Sequence, residues 1–594
     1  MERFNNFSEF ILDAIKSYGS DPVLLWKKNN NYESLNGEKL IELVYRLSVT
    51  LKKYGLNHGD RAAIISENRC EWVAADIACI INGIVTVPVY TSMTADQICF
   101  ILQHSGAKLC FTSNKLVTSK VLSVLNQLNE LRSVITFNKT ETGDGKTTYL
   151  YDELYSQDNI SSYSYEDAIN YLHSISGNQK ITDLLTIIYT SGTTGHPKGV
   201  CLTHGNLLAN IRQCNQAFEI YRNDRFLSFL PLAHSYERTA GYYVPLSGGA
   251  RIYYADSIDS ISTQMTEVKP TLMLCVPMLF ERIRQRLFSN IETMSPVKKL
   301  VTKFALNSAI KYRNNKSHIL WRLADKLVLK KIREKTGGCI RFFISGGSAL
   351  SKELGEFFDS LGLLILQGYG MTEASPVISV NRASHNKFGT TGLPLNGIDV
   401  KIAADGEILV RGDNVMRGYY RDEAETKKTI IDGWLHTGDI GEIDSEGFLK
   451  ITDRKKSLVK SSGGKYISLT YIEETIKKSE YISQVFCYAS DNTQFVSALI
   501  VPEEEKIKSL AEKANISFST LSELTEKDFI LNFYESEIDV LQRSLAKHER
   551  IRKFLLLDKP FTVEDGELTP TLKLRRKVIE VKYRELIESF YKGK

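Results

Sequence analysis

At 594 residues the chain is about four times the length of a typical domain, so two or more lobes are expected rather than one core. Hydrophobic residues at 43% and charged residues at 24% lie in the ordinary globular range, which excludes a disordered, collagen-like or low-complexity protein. With 75 Lys+Arg against 70 Asp+Glu the formal net charge is only +5, which argues against wholesale nucleic-acid binding.

The amino terminus lacks an apolar leader core, and the spacing of Phe7, Phe10, Ile11 and Ile15 predicts an amphipathic helix, so no secretory signal is expected. Beyond it, short β-rich runs alternate with helical periodicity: strands over 62–66, 85–89 and 109–112, helices over 71–82 and 94–104. The most apolar stretch, 73–90, is broken by Asp76, Asn82, Gly83 and Pro88, and cannot supply the roughly 20 apolar residues of a membrane span. Strands resume at 184–190, 226–230, 251–254, 272–276 and 341–345, each ending on a polar or glycine-rich turn. That alternation predicts an α/β fold with a largely parallel sheet and ligands at the strand ends.

Residues 298–335 carry twelve Lys/Arg against Asp325 and Glu334, a local net of +10. Val297, Leu300, Val301 and Phe304, then Leu320, Leu323, Leu327 and Ile332, repeat at helical spacing and predict two basic amphipathic helices. Two readings stand for them: solvated helices with one face on the core, or a surface for an amphiphile or an anionic membrane. From about residue 397 the texture changes to hairpins, with Asp405-Gly406 joining 400–402 to 407–410, and 445–447 joining 442–443 to 448–451. A new unit begins near Asp453, with a helix over 470–478, a hairpin over 484–502 and a helix-rich tail. The expected domains are therefore 1–452 and a small α+β lobe, 453–594.

Nine scattered cysteines include no C-x-x-C pair and no ligand-spaced histidines, so free thiols are expected rather than disulfides or structural zinc. The expectation is an intracellular, cytoplasmic protein, at most peripheral on membranes.

The strongest chemical signal is the run from Tyr189 through Thr190-Ser191-Gly192-Thr193-Thr194-Gly195 to Lys198-Gly199, following an apolar strand. Glycines let several backbone N–H groups point inward, hydroxyls add donors and one lysine supplies mobile positive charge, a set suited to phosphate. G-x-x-x-x-G-K-[ST] cannot be laid onto it, so it is no Walker A loop. Further motifs follow in order: Ser345-Gly346-Gly347-Ser348, Gln367-Gly368-Tyr369-Gly370-Met371-Thr372-Glu373, His436-Thr437-Gly438-Asp439, Asp453-Arg454-Lys455-Lys456 and Leu568-Thr569-Pro570-Thr571-Leu572-Lys573. Together they resemble the adenylate-forming (AMP-binding) superfamily, and the forms around Lys573, Ser345 and Met371 are similar to those of long-chain fatty acyl-CoA synthetases.

The resemblance implies a large composite amino-terminal domain of two α/β sheet subdomains plus a small β-rich subdomain, with a small mobile α+β carboxy-terminal domain. It also implies site roles. Ser191, Gly192, Thr193, Thr194, Gly195 and Lys198 would hold the β- and γ-phosphates of ATP, Thr190 and Glu373 would help hold Mg²⁺, and Thr372 would reach the α-phosphate. Gly346, Gly347 and Tyr369 would frame adenine, Gln367 and Gly368 would belong to the same ATP/AMP site, and Asp439 and Arg454 would bind the ribose. Lys573 would bridge the attacking carboxylate and the α-phosphate, although Thr571-Leu572 departs from the Ser-Gly that many family members carry there. Lys456 would be the hinge of a domain rotation that presents Ser462, Gly463 and Gly464 to coenzyme A and Lys465 to a phosphate. His234, in the segment Pro231-Leu232-Ala233-His234-Ser235-Tyr236-Glu237-Arg238, would gate the acyl pocket.

The function so implied is a long-chain fatty acid–CoA ligase, forming acyl-CoA, AMP and diphosphate through an acyl-adenylate, with Mg²⁺ as cofactor and ATP and CoA as co-substrates. Alternatives are an acyl-AMP ligase that passes the acyl group to a carrier protein, and a catalytically inactive nucleotide-binding protein. Small molecules are the expected partners, with no nucleic acid; the oligomeric state stays open, as does peripheral membrane contact.

Overall fold

The computed structural model describes residues 4–140, 145–155, 164–190, 197–455, 458–460, 466–490, 493, 495–562, 565–569 and 574–591. Its first sheet has eight strands, ordered Gly418–Tyr419, Lys198–Thr203, Leu184–Thr190, Val85–Val89, Arg61–Ile65, Ala107–Thr112, Ser133–Thr136 and Thr147–Tyr149. From Leu184–Thr190 outward to Thr147–Tyr149 the pairings are parallel. Lys198–Thr203 instead runs back antiparallel on Leu184–Thr190, setting Thr190 opposite Lys198. The near-continuous apolar sequence of Val85–Val89 is buried at every position, as a strand covered on both faces requires.

The second sheet has nine strands, ordered Leu393–Pro394, Val377–Val380, Ile365–Gly370, Phe342–Ser345, Leu272–Cys275, Arg225–Ser228, Arg251–Tyr254, Pro22–Lys28 and Asn31–Asn36. Pairings from Pro22–Lys28 through Ile365–Gly370 are parallel, so the carboxyl ends of its central strands open on one side. The third sheet is an antiparallel set in which Trp434–Ile443 pairs with Glu407–Arg411, Ile430–Ile431 and Leu449–Arg454. Beyond it, the antiparallel pair Ile482–Tyr488 and Val496–Pro502, joined in parallel by Ile551–Leu556, builds a separate small core around Ile472, Ile500, Ile530 and Tyr534. This is the mixed α/β architecture expected, with a large amino-terminal composite and a small α+β carboxy-terminal unit.

Two helices show how the sequence seals the core. Phe7–Lys16 starts where the Asn6 side chain accepts the Glu9 N–H, and it buries Phe7, Phe10, Ile11 and Ile15 as predicted. Cys70–Ile81 is buried along its whole length, with Trp72 set edge-on to Tyr242 at 6.3 Å. At its centre lies a buried ion pair, Asp76 with Arg238. Arg238 also donates to Thr86 and Thr186 of the first sheet, each at 2.7 Å, while Tyr243 donates to Asp76 at 2.7 Å. The Glu237–Tyr243 π-helix, which follows the second-sheet strand Arg225–Ser228, is thereby fastened to the first sheet.

The basic helical layer sets one face on the core, as one of its two readings has it, but that face is not the apolar one marked by the spacing of Val297, Leu300, Val301 and Phe304. Pro296–Lys311 is a helix, but it buries Thr302, Ala305, Leu306, Ser308 and Ala309 and turns Val297, Leu300, Val301 and Phe304 to solvent. Leu323 and Leu327 of the following helical run are exposed as well. Small residues let this helix approach its neighbours Ile319–Ala324 and Lys352–Ser360 closely. Periodicity identifies an apolar face without stating what covers it.

Candidate active site

The Thr190 and Lys198 ends of the first-sheet hairpin face each other across the register and bracket the predicted phosphate loop. The Lys198 ammonium is held in an ion pair with Glu425 and lies 5.2 Å from the centre of the Tyr419 ring. Tyr419, whose strand pairs with Lys198–Thr203, donates its hydroxyl to Glu373 Oε1 at 2.9 Å. Burial pushes the Glu373 carboxyl above its ordinary range, with Tyr419 and Arg454 pulling against that rise. Such a carboxylate gains from a cation, and together with the Thr190 and Thr372 hydroxyls it offers the hard oxygen donors that Mg²⁺ accepts. Among the described residues no cluster of three His, Cys, Asp or Glu could hold a metal ion by itself.

On the opposite side, Asp439 is almost fully buried, accepting from Tyr369 Oη at 2.7 Å and pairing with Arg454 Nε at 3.1 Å. Antiparallel register places Asp439 directly across from Arg454. Burial, with Asp439 beside it, keeps the Tyr369 hydroxyl protonated. The turn that presents Asp439 is held from beneath by Glu407, which accepts from the Gly438 N–H at 2.9 Å and contacts His436 Nδ1 at 3.0 Å and Lys455 at 2.9 Å. Burial acts to raise the Glu407 carboxyl, but Lys455, His436 and Gly438 outweigh it and hold the group below its usual range. Sequence reading missed both Glu407 and Glu425; a lone acid in a hairpin and another in a charged helix carry no local signal.

Between these two sides runs the segment around His234. Ser235 Oγ lies 3.0 Å from Thr372 Oγ1, and Tyr236 donates to the Ile344 carbonyl at 3.0 Å. His234 Nδ1 accepts the Tyr236 N–H at 3.1 Å, which leaves the ring proton on Nε2. A Cβ at Gly346 would come within 2.9 Å of the Tyr236 ring, so the backbone there packs closely on Tyr236, whereas Gly347, at φ +83°, keeps its Cβ side comparatively open. Gln367 is also buried, and with its amide turned so that nitrogen and oxygen exchange places it would donate to the Thr390 carbonyl and accept from the Leu350 N–H, each at 3.2 Å. A Cβ at Gly368 would stand 3.2 Å from Val380, so a larger residue would crowd the strand. Ser191, Gly192, Thr193, Thr194, Gly195, Lys456, Ser462, Gly463, Gly464, Lys465 and Lys573 lie outside the described residues.

Three sheets thus meet at one junction, which gathers a lysine, the tyrosine-bonded carboxylates of Glu373 and Asp439 and several hydroxyls. A family model described as AMP-binding enzyme matches residues 13–420. The chain belongs to the AMP-binding enzyme family. Within its curated relatives, the chain is 34% identical over 566 residues to "Long chain acyl-CoA synthetase 7, peroxisomal" of Arabidopsis thaliana, covering 91% of this chain and 79% of the relative. It is 31% identical to a long-chain-fatty-acid–CoA ligase of Mycobacterium bovis, covering 90% of this chain and 89% of that protein. Among solved structures the fold is similar to the adenylation domain of a carboxylate reductase from Mycobacterium chelonae, with TM-score 0.76 and 22% identity, covering 99% and 91% of the two chains. An anthranilate CoA ligase in complex with anthranoyl-AMP gives TM-score 0.68 at 16% identity, covering 98% of this chain and 97% of that one.

Proposed function

We propose that this protein is a long-chain fatty acid–CoA ligase that joins a fatty acid to ATP as acyl-AMP, releasing diphosphate, and then transfers the acyl group to coenzyme A. One observation carries the reading: over about nine-tenths of its length the chain is similar to proteins named long-chain acyl-CoA synthetase or ligase. The geometry agrees with it. A fatty-acid carboxylate and the α-phosphate are both anionic, and at about 4 Å and an effective dielectric near 20 each unit pair repels by roughly 4 kcal/mol. Cations must offset that repulsion where the bond forms.

In this reading Lys198 leaves Glu425 to hold the outer phosphates, and Thr372 donates to the α-phosphate. Tyr369 lends its ring to adenine while its hydroxyl orients Asp439 toward the ribose, and Arg454 donates to the same sugar. Mg²⁺, held through Glu373 and Thr190, would neutralise phosphate charge. Residues 453–594, with their own cores, would be the moving unit, bringing Lys573 to the α-phosphate and then 461–465 to coenzyme A by rotation at Lys456. His234 would line the entry of the acyl chain. Eight of the nine cysteines are buried free thiols, which suits a cytoplasmic location, and among the described residues no helix is long and apolar enough to cross a membrane.

The test is a chain-length series of carboxylic acids with ATP, Mg²⁺ and coenzyme A, read as acyl-CoA and AMP. Long-chain acids are expected to be preferred, and absence of both products across the series would reject the reading. Lys573→Ala is expected to abolish adenylation while thiolation of supplied acyl-AMP survives; equal loss of both half-reactions would reject the role given to Lys573.

A further inference from the structure

The 296–334 helical layer breaks the usual rule that a surface helix hides its larger apolar residues. Val297 and Leu300 are each 72% exposed and Ile319 is 76% exposed, with Phe304, Leu323 and Leu327 beside them. Ile319, Leu323 and Leu327 follow one another at four-residue spacing along a continuous helical run. Arg322, Lys326 and Lys330 follow the same spacing one position away, so a cationic stripe flanks the apolar one. Two nearby acids are already neutralised, Asp325 by Arg333 at 2.6 Å and Glu292 by Lys299 and Lys303, which leaves Glu334 as the acid of the helical run set against its cations. Among the described residues Lys298, Arg322, Lys326, Lys330 and Lys331 form no ion pair.

The layer is also fastened to the neighbouring helix Lys352–Ser360 and the turn after it. Lys316 pairs with Asp359 at 2.6 Å, Trp321 Nε1 donates to the Ser360 carbonyl at 3.2 Å, and Arg333 donates to the Leu361 carbonyl at 2.9 Å. It connects Leu272–Cys275 to Phe342–Ser345, two neighbouring strands whose ends lead to Val276 and Gly347 at the candidate site. A second copy of the chain is a poor occupant, because a local net of +10 would face another +10.

We propose that the outer face of this layer docks on an anionic lipid surface, its apolar side chains entering the headgroup boundary and Lys298, Arg322, Lys326 and Lys330 pairing with lipid phosphates. Apolar burial and cationic attraction are the two terms that hold an interfacial helix, and this face presents both. The inference rests on the ligase reading only for its purpose, which is to meet an acid that partitions into membranes.

Co-sedimentation of the full chain with vesicles of equimolar phosphatidylcholine and phosphatidylserine, and of phosphatidylcholine alone, tests it. Pelleting with the anionic vesicles and release by added salt are expected. The double variant Lys326→Gln/Lys330→Gln is expected to bind about 25-fold more weakly, at roughly fivefold per cation. Leu300→Ser/Phe304→Ser is expected to lose at least about tenfold. Both variants should keep the wild-type melting temperature and, without vesicles, the wild-type rate on dispersed acid. Failure of the wild type to pellet, or equal pelleting of the variants, would overturn the proposal. So would a dimer in sedimentation velocity that Leu300→Ser/Phe304→Ser abolishes, since that would give the face to a second copy. Vesicle binding by a chain that forms no acyl-CoA would reject the ligase reading and leave the docking surface standing.

Discussion

Lys198 faces a choice between two anions. Its ammonium is paired with Glu425, and under the proposed role of holding the outer phosphates of ATP, binding nucleotide would mean exchanging one partner for the other. Both side chains are partly exposed, and a pair of that kind is worth about 0–1 kcal/mol. Glu425→Gln is therefore expected to lower KM for ATP by about threefold with little change in kcat. Initial-rate kinetics at saturating acid and coenzyme A would check it; an unchanged or raised KM would show that Glu425 does not compete. Nothing in the sequence singles out Glu425, because its role depends on a strand contributed by Gly418–Tyr419 lying beside Lys198–Thr203. By contrast Asp439 and Arg454 each sit within a local motif whose spacing is itself the signal, and the strand register sets them opposite each other.

The Glu237–Tyr243 π-helix illustrates how an element stores an electrostatic consequence. Glu237 is buried, accepts from Ser228 Oγ at 2.6 Å, and is pushed up to about 8 by burial, against which Ser228 pulls. In the unfolded chain a glutamate ionises near 4.3. Below that value both states hold the proton, so the full stability is present. As pH rises the unfolded state ionises first, and stability falls by up to about 1.4 kcal/mol per pH unit until the folded group ionises near 8. Glu237→Gln is expected to remove that slope, so the variant gains melting temperature over wild type as pH rises from 5 to 8. Parallel melting curves across the range would contradict the assignment. Gly241 belongs to the same design, because a Cβ there would stand 2.5 Å from the Glu237 carboxyl. Sequence reading took this segment as a strand end with a histidine; that its Glu-Arg pair turns inward depends on Asp76, more than a hundred residues away in the chain.

Across the whole molecule the nine cysteines give a direct check on packing. Eight are buried and Cys339 alone is exposed, with no disulfide among them. A thiol reagent is expected to label one site rapidly in the native protein and nine after denaturation, with no shift in mobility on reduction. Fewer than nine in the denatured, unreduced chain would reveal a disulfide. The same scale explains the near-neutral +5, since the 298–335 layer holds +10 and the remainder of the chain must be acidic on balance.

By itself the sequence determined the order of strands and helices, the parallel α/β class and the family, because hydrophobic period, glycine turns and motif spacing are local properties that survive without knowledge of neighbours. The tertiary structure alone decided which partners meet: Asp76 with Arg238, Lys198 with Glu425, and Glu407 beneath the Asp439 turn. It also decided that Val297, Leu300 and Phe304 face water. Burial and charge pairing are set by what packs from distant parts of the chain, and no periodicity within one segment contains that information.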